Sequence, residues 1–225
     1  LPAVSNPVVV ITGAGRGIGR AIASRLAREG TTLGLISRTR GELEETRAAV
    51  EAMGSEAVAA VADITSERAV VEAFDAIERG CGPITGLVNN AGNAPVGATS
   101  DFSVASWDDC LAVNLTGAFL CSREAFRRMP GNGGGAIVNI SSGAGKHGKS
   151  GWAAYCAAKS GLHGLARALS EEGKPLGIRV NTVCPGGTAT GLRASIFGAE
   201  PEGSILDPME VADVVAFLLS DAARE

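Results

Sequence analysis

The sequence is short of aromatic residues, of histidine and of paired cysteines, and each shortage excludes a class of protein. Phe, Trp and Tyr make up 4% of the 225 residues, against 31 glycines, which predicts an aliphatic core with many tight turns. The five cysteines form no Cys-x-x-Cys pair, so we expect buried thiols in a reducing compartment rather than a disulfide framework. With His147 and His163 as the two histidines, the sequence predicts no metal site.

Neither an excess of basic residues nor a long apolar run is present. The formal net charge of -4 argues against a nucleic-acid partner. No apolar run approaches the length of a membrane span, and the start LPAVSNPVVVITG lacks the pattern of a signal peptide. We therefore expect a cytoplasmic protein with neither nucleic-acid nor membrane partners.

No repeat, linker or charged tail divides the chain, so one domain over residues 1–225 is predicted.

Short apolar runs alternate with amphipathic segments along the whole chain. The runs lie at 8–12, 32–37, 57–62, 84–89, 136–141 and 178–183, and such runs are typical of parallel strands covered on both faces. Between them the pattern predicts helices at about 17–29, 42–53, 66–79, 104–129 (in two pieces) and 153–172. A last helix begins with Asp207 as N-cap and Pro208 at its first position. This alternation predicts an α/β fold with a doubly wound parallel sheet.

A glycine-rich loop follows the first strand directly, in the stretch TGAGRGIG that starts at Thr12. Glycines at such a place permit a tight turn and let backbone N–H groups approach a pyrophosphate at the start of a helix. A plain turn would also contain glycine. The position after an apolar strand and before a helix favours dinucleotide binding.

The spacing G-x-x-x-G-x-G resembles the cofactor motif of the short-chain dehydrogenase/reductase family. Further motifs of that family follow in its order: Asp63, the Asn89-Asn90-Ala91-Gly92 stretch, Asn114, Ser142, Tyr155 with Lys159, and Pro185-Gly186. The resemblance covers nearly the whole chain and is most marked for members like 3-oxoacyl-(acyl carrier protein) reductase. It implies a single-domain Rossmann fold with strand order 3-2-1-4-5-6.

The resemblance also implies which residues hold a nicotinamide dinucleotide. They are Gly13, Gly15, Arg16, Gly17, Ile18, Gly19, Ser37, Arg38, Asp63, Ile64, Asn90, Ala91, Gly92, Tyr155, Lys159, Pro185, Gly186, Thr188 and Thr190. Thr188 departs from the family, which usually carries an aliphatic residue there, but a backbone contact survives the change.

The end of the second strand bears on the choice of cofactor. A carboxylate there would bind an adenosine ribose and repel a 2′-phosphate, but this chain has Ser37 followed by Arg38. Arg38 can pair bidentately with a phosphate, and Arg16 can assist. A solvated loop charge is the alternative interpretation of Arg38. We expect NADP(H), with NAD(H) as the alternative.

Tyr155 and Lys159 share one face of a helix, since they stand four residues apart. Reduction of a ketone by hydride requires a proton at its oxygen, which a tyrosine hydroxyl can supply. The ordinary pKa of tyrosine, about 10, is high for this task, and we expect the Lys159 ammonium to lower it. The family resemblance adds that Lys159 holds the nicotinamide ribose.

Ser142 ends the fifth strand, at the sheet edge where ligands collect in open α/β folds. Its hydroxyl is expected to bond the substrate oxygen, while strand alternation points the adjacent Ser141 to the opposite face. By resemblance, Asn114 completes a water-mediated proton path to Lys159.

The substrate is less well specified than the chemistry. We expect residues at about 190–207 to form a lid, and Trp152 to line the substrate side with Cys156 off the catalytic face. Lys146, His147 and Lys149 either meet an acidic carrier or phosphorylated group, or belong to a solvated loop. The substrate is therefore expected to be a small or acyl-carrier-bound carbonyl compound.

The leading hypothesis is an NADPH-dependent carbonyl reductase for a 3-oxoacyl or related ketone. An NAD-dependent alcohol or polyol dehydrogenase is the alternative. A non-catalytic dinucleotide sensor is disfavoured because all four catalytic positions are filled.

The family usually continues into a seventh strand after FLLSDAARE and assembles as a homo-oligomer. An uncovered edge strand is a liability, so we expect further residues after Glu225 and a tetramer or dimer.

Overall fold

The computed structural model describes residues 7–198, 200–201 and 203–224. Its strands are β1 (Val8–Thr12), β2 (Thr32–Ser37), β3 (Ala57–Val61), β4 (Ile84–Asn89), β5 (Gly135–Ile140) and β6 (Ile178–Val183). They form one sheet in the order β3-β2-β1-β4-β5-β6, and every pair of neighbours is parallel. The predicted doubly wound fold is therefore confirmed. The strand bounds differ from prediction by one residue, at the end of β3 and at both ends of β5.

The helices are α1 (Gly17–Ala27), α2 (Arg40–Glu51), α3 (Glu67–Cys81), α4 (Val104–Leu111), α5 (Gly117–Arg128), α6 (Ala153–Gly173), α7 (Gly191–Phe197) and α8 (Pro208–Leu219). The segment predicted as helix in two pieces contains a π-helical turn, Ala112–Thr116, between α4 and α5. Helix α7 was not predicted and lies within the expected lid. Positions 199 and 202 of that lid, and residues 1–6 and 225 of the predicted domain, lie outside the described residues.

Helices cover both faces of the sheet, which explains why β1 is buried at all five positions. One face carries α3 and α5, whose Phe74, Ile77 and Leu120 pack on the sheet. The other face carries α1, α2 and α8, with Leu26 and Val215 among the core residues. Burial of each such side chain stabilises the fold by roughly 1.5–3 kcal/mol, so the sheet is held firmly between its two helical layers.

The start of α8 follows the sequence prediction. Asp207 caps the helix by accepting a hydrogen bond from the Met209 backbone N–H at 2.7 Å, and Pro208 takes the first helical position. The Glu210 carboxylate accepts in return from the Asp207 backbone N–H, also at 2.7 Å. This capping box fixes where the segment that follows β6 turns back onto the sheet.

The strand order reverses between β1 and β4, so the connections from these two strands run in opposite directions. A crevice forms at such a point outside the carboxyl ends of the strands, and it is the usual ligand site of open α/β sheets. Across the described part of the chain, none of the helices has the length and hydrophobicity needed to cross a membrane.

Candidate active site

A cavity of ≈ 550 Å³ lies at this crevice and brings the predicted residues together. It is lined by every predicted catalytic residue and by every predicted cofactor residue with the exception of Gly19. The cavity therefore joins the glycine-rich loop, the β4 and β5 ends and the start of α6 in one site.

The glycine-rich loop is folded so tightly that side chains would not fit. A Cβ added to Gly19 would lie 2.2 Å from the Gly13 carbonyl oxygen, and one added to Gly13 would lie 2.9 Å from the Ala91 Cα. Gly13 also has φ 65°, which favours glycine. Gly19 therefore does not line the cavity. Because it has no Cβ, the Gly13 carbonyl can pack directly against the start of α1.

Thr12 and Asn90 connect this loop to the end of β4. The Thr12 hydroxyl oxygen accepts from the backbone N–H groups of Asn90 and Ala91, at 3.0 and 3.1 Å. The Asn90 amide nitrogen donates to the carbonyl oxygens of Thr12 and Gly13, at 2.9 and 3.2 Å. The Asn90 side chain, predicted to contact the cofactor, therefore holds the loop in shape. The sequence analysis did not predict this role of Thr12. A polar residue at the end of an otherwise aliphatic strand is the signal that could have indicated it.

Arg20 is a second supporting residue that sequence reasoning missed. Its Nε donates to the Gly15 carbonyl at 2.9 Å and to the Thr46 hydroxyl at 3.0 Å. A terminal nitrogen of the same side chain donates to the Glu42 carbonyl at 3.2 Å. These bonds tie the loop to α2, an element that sequence spacing alone does not place beside it.

The end of the cavity beside β2 carries two cations, each with a carboxylate partner. Arg38 lies 3.9 Å from Asp63, and Arg16 lies 3.5 Å from Glu42. Both arginines are largely exposed, at 67% and 73% of the side chain. Burial acts to raise the pKa of Asp63, but hydrogen bonds from Thr65 and the charge of Arg38 outweigh it, so that pKa is lowered. Glu42 lines the cavity and was not predicted.

Lys159 is buried on α6, where 4% of the residue is exposed. Its Nζ donates to the Ile140 carbonyl at 2.9 Å and lies 5.6 Å from the centroid of the Tyr155 ring. Burial lowers the pKa of Lys159 to about 8, because no carboxylate among the described residues compensates for the lost hydration of the ammonium.

The pKa of Tyr155 is shifted in the direction opposite to the sequence expectation. Burial raises it, since the phenolate would lose its hydration, and a hydrogen bond with Ser142 acts against this effect. The sequence argument considered the Lys159 charge and had no measure of burial. In this structure the burial of the ring outweighs the favourable interactions, so the neutral phenol is favoured over the phenolate.

The two serines after β5 contact different partners, as strand alternation predicts. The Ser142 hydroxyl oxygen accepts from the Ala144 backbone N–H at 3.2 Å, and Ser142 interacts with Tyr155. The Ser141 hydroxyl is buried and lies 2.7 Å from Nε2 of His163. Ser142, rather than Ser141, is therefore the serine that interacts with Tyr155.

Asn114 lies on the π-helical turn and leaves one acceptor free in the site. Its amide nitrogen donates to the Asn93 carbonyl at 2.8 Å and to the Cys110 carbonyl at 3.0 Å. Its Oδ1 is buried and has no hydrogen-bond partner among the described residues. A Cβ on Gly92 would lie 2.7 Å from this oxygen and 3.6 Å from Lys159 Nζ. An unpaired buried acceptor costs about 1–3 kcal/mol, and this oxygen is available to a water or a ligand that enters the site.

Trp152 and Phe197 form an aromatic wall at the other end of the cavity. Their rings stack with centroids 5.9 Å apart, and the Trp152 ring meets the Tyr155 ring edge-on at 5.5 Å. Trp152 thus lines the cavity as expected, and Cys156 is not among the lining residues. Phe197 was missed because it comes from α7, far along the chain.

These features fit a dinucleotide cofactor. The glycine loop presents backbone without side chains at the start of α1, and Asn114 Oδ1 and Lys159 Nζ meet at Gly92. Within the described ranges, no group of three or more His, Cys, Asp or Glu side chains is placed to hold a metal ion.

Comparison with known proteins shows the family of the chain. Residues 7–201 match the family model described as short chain dehydrogenase. A 2-(S)-hydroxypropyl-CoM dehydrogenase 3 from Xanthobacter autotrophicus is 40% identical over 98% of this chain and 92% of its own length. A 3-oxoacyl-(acyl-carrier-protein) reductase from Aquifex aeolicus is 37% identical over 98% of this chain and 92% of its own length. The crystal structure of an actinorhodin polyketide ketoreductase with NADPH is 34% identical, with a TM-score of 0.91 over 97% of this chain and 92% of that one.

Proposed function

Since the chain belongs to the short-chain dehydrogenase/reductase family and is an oxidoreductase, we propose that it reduces a ketone to an alcohol with NADPH. The observation that carries this proposal is the meeting of Tyr155, Ser142, Lys159 and the free Asn114 oxygen in the cavity that the glycine loop also lines. Burial raises the pKa of Tyr155, so the phenol carries a proton that it can donate to a carbonyl oxygen, and the positive charge of Lys159 is needed to make that donation easier.

Each of these side chains has a distinct role in the proposed reaction. When bound, the reduced nicotinamide ring supplies the hydride. Tyr155 donates its phenol proton to the substrate oxygen, and Ser142 donates a hydrogen bond that stabilises the developing alkoxide. The Lys159 ammonium favours the phenolate that remains on Tyr155. Asn114 Oδ1 accepts from a water that returns a proton toward Lys159, which gives its unpaired oxygen a partner.

For the cofactor itself, the residues that would hold it are the glycine loop, Asp63, the β4 end and the segment from Pro185 to Thr190. Arg38 and Arg16 would pair with a 2′-phosphate, because their side chains are exposed at the cavity end beside β2. The ketoreductase of known structure, which is described with NADPH, supports this choice. For the substrate, the similarity to a 3-oxoacyl-(acyl-carrier-protein) reductase supports a 3-oxoacyl compound or a related ketone.

An NAD-dependent alcohol or polyol dehydrogenase is a second candidate, and a specific observation favours it. Glu42 and Asp63 place two carboxylates beside the two arginines, and a carboxylate at this end of the cavity can bind ribose hydroxyls and repel a phosphate. A relative named as a hydroxypropyl-CoM dehydrogenase supports the oxidative direction.

The central test replaces Tyr155 by Phe, which retains the ring and its contact with Trp152. Without the phenol proton, we expect kcat for ketone reduction to fall by about 100- to 10,000-fold. Ser142→Ala is expected to lower kcat as well, whereas Ser141→Ala, one residue away, is expected to alter stability rather than chemistry. Steady-state assays of NADPH consumption would measure this, with NADPH binding by fluorescence as the folding control. Full activity in Tyr155→Phe would exclude the proposed acid.

The cofactor preference is tested by dissociation constants for NADPH and NADH, measured by fluorescence titration. Arg38→Met is expected to weaken NADPH binding roughly tenfold and to leave NADH binding unchanged, because a charge-assisted bond to phosphate is lost. Arg40→Met is the matched control, since Arg40 begins α2 and does not line the cavity. Tighter binding of NADH than of NADPH by the unaltered protein would favour the second candidate.

A further inference from the structure

The substrate end of the cavity carries a cluster of two cations on two aromatic rings. We call the four residues Lys149, Trp152, Arg193 and Phe197 the cationic wall; all four line the cavity. Lys149 Nζ lies 4.4 Å from the Trp152 ring centroid and 4.5 Å from that of Phe197. The guanidinium carbon of Arg193 lies 4.6 Å from the Phe197 centroid. The aromatic rings therefore hold both positive charges at the cavity wall.

The cationic wall is next to the reacting groups. Trp152 meets the ring of Tyr155 edge-on at 5.5 Å and stacks on Phe197, so both cations lie within a short chain of contacts from the phenol. The Arg193 guanidinium also packs closely on Gly187: a Cβ added to Gly187 would lie 2.6 Å from its central carbon. The wall thus belongs to the same site as Tyr155.

The positive charge at this wall is balanced in part. Arg193 pairs with Glu200 at 2.5 Å, but Glu200 does not line the cavity. Lys149 has no ion pair with a carboxylate in the described part of the chain, and its charge helps to lower the pKa of Glu200. The carboxylates that do line the cavity, Glu42 and Asp63, lie beside β2 with Arg16 and Arg38.

We propose that this wall is an oxyanion subsite, and that the ketone substrate carries a carboxylate, sulfonate or phosphate group on the substituent that faces Lys149 and Arg193. This inference rests on the proposed function, since it names the class of ketone that Tyr155 protonates. Arg193 is partly desolvated, with 26% of its side chain exposed, and the ring faces hold both cations in place, so an oxyanion between them gains a charge-assisted hydrogen bond from each. Arg193 pairs with Glu200 through two hydrogen bonds, at 2.5 and 2.7 Å, so a bound oxyanion competes with that carboxylate for the guanidinium.

The test compares methyl ketones whose chains of increasing length end in a carboxylate with the carboxamides of the same acids. We expect the best carboxylate to exceed its carboxamide roughly tenfold in kcat/KM, because the amide lacks the charge that Lys149 and Arg193 recognise. Lys149→Met and Arg193→Met should bring that ratio close to one, while Lys149→Arg should retain it. Glu200→Gln should increase the ratio, because it removes the carboxylate that competes for Arg193.

Two controls separate this inference from other roles of the same residues. Lys146→Met removes an equal charge from the same loop, but Lys146 does not line the cavity, so the ratio should stay unchanged. The dissociation constant of NADPH should also stay unchanged in Lys149→Met and Arg193→Met. A ratio near one in the unaltered protein, a ratio that both Met variants leave intact, or a parallel loss of NADPH affinity would each overturn the oxyanion subsite.

A binding measurement keeps the outcome independent of turnover. In a Trp107→Phe background, Trp152 is the remaining tryptophan and reports directly on the wall. If the keto acids quench Trp152 fluorescence and the quenching depends on Lys149, the subsite is supported. If no ketone is reduced in the same protein, the proposed function fails while the subsite stands. Absence of both quenching and carboxylate preference rejects the subsite, and reduction of the carboxamides then leaves the proposed function standing.

Discussion

At Lys159, charge and burial oppose each other. The side chain is buried within α6 and bonds the Ile140 carbonyl, and burial lowers its pKa to about 8. An ammonium held in such a place stabilises a neighbouring phenolate but destabilises the fold. This residue therefore ties the stability of the protein to the chemistry proposed for Tyr155.

Lys159→Met is expected to increase the free energy of unfolding by about 1–3 kcal/mol at pH 7 while abolishing reduction. The folded pKa lies below the ordinary value of 10.5, so the unfolded chain binds more protons between about pH 8 and 10.5. The native protein gains stability as pH rises through that window. The advantage of the variant is thus complete below about pH 8 and shrinks toward pH 10.5.

Urea unfolding of both proteins at several pH values measures this difference. Lys174→Met serves as the control, since Lys174 is an exposed lysine paired with Glu171. Its stability should differ little from that of the parent at any pH in the series. A destabilised Lys159→Met protein at pH 7 would show that the bond to Ile140 outweighs the burial of the charge.

The candidate site residues that could be predicted from the sequence are those that belong to local motifs. The glycine loop, Tyr155 and Lys159 are recognisable because their chemistry depends on spacing along the chain. Thr12, Arg20 and Glu42 escaped because their roles arise from contacts between elements that are distant in sequence. The raised pKa of Tyr155 escaped for a related reason, since the burial of its ring depends on packing by several elements.

At the scale of elements, the π-helical turn between α4 and α5 positions Asn114. Such a turn is rare, occurs frequently at functional sites, and has no clear signature in hydrophobic periodicity. Helix α6 packs against it closely: a Cβ on Gly161 would lie 2.9 Å from Leu115. The geometry of Asn114 therefore depends on a small residue of the helix that also carries Tyr155 and Lys159.

Gly161→Ala and Gly164→Ala form a matched pair on this helix. Nothing lies within 4 Å of a Cβ on Gly164, so Ala there should increase stability by about 0.5–1 kcal/mol and leave kcat unchanged. Gly161→Ala should lower kcat several-fold, because Leu115 must shift beside Asn114. Thermal unfolding and steady-state kinetics would test both. Equal kinetics in the two variants would contradict the dependence of Asn114 on α6.

At the scale of the whole molecule, a charged cluster joins α3 to α5 on the outside of one helical layer. Arg128 has a side chain 12% exposed and pairs with Asp75 at 2.5 Å and Glu78 at 3.2 Å. It also contacts Glu124, of which 2% is exposed. None of these residues lines the cavity. The cluster therefore concerns the stability of the layer rather than the reaction.

Arg128→Met is expected to reduce the free energy of unfolding by about 1–3 kcal/mol, because the buried Glu124 loses one of its cationic partners and retains Arg127 at 2.6 Å. Arg47→Met is the control, since Arg47 pairs with Glu44 and Glu51 on an exposed helix face, and its loss should cost less than about 1 kcal/mol. Denaturant unfolding measures both, and kcat/KM should be unchanged in each. Equal costs in the two variants would mean that burial of the cluster has no energetic effect.

The fold as a whole was predictable, and the reason lies in its alternating pattern. A central strand between helical layers is apolar on both faces, as β1 shows with five buried residues, so strands and helices could be assigned from the alternation of apolar runs with amphipathic segments. The sequence pattern did not predict helix α7 or the stacking of Phe197 on Trp152. Both depend on a connecting segment whose conformation is set by contacts with the site.

Tyr155 has one further consequence for experiment. Because it is the one tyrosine of the chain, an isotope label placed on the ring carbon that bears the hydroxyl would give one resonance, with no assignment needed. Its chemical shift would follow the proton on the phenol during a titration. The edge-on indole of Trp152 at 5.5 Å would add a ring-current shift that reports on movement of the aromatic wall. The charge state of the proposed acid is therefore open to direct spectroscopic observation in the unaltered protein.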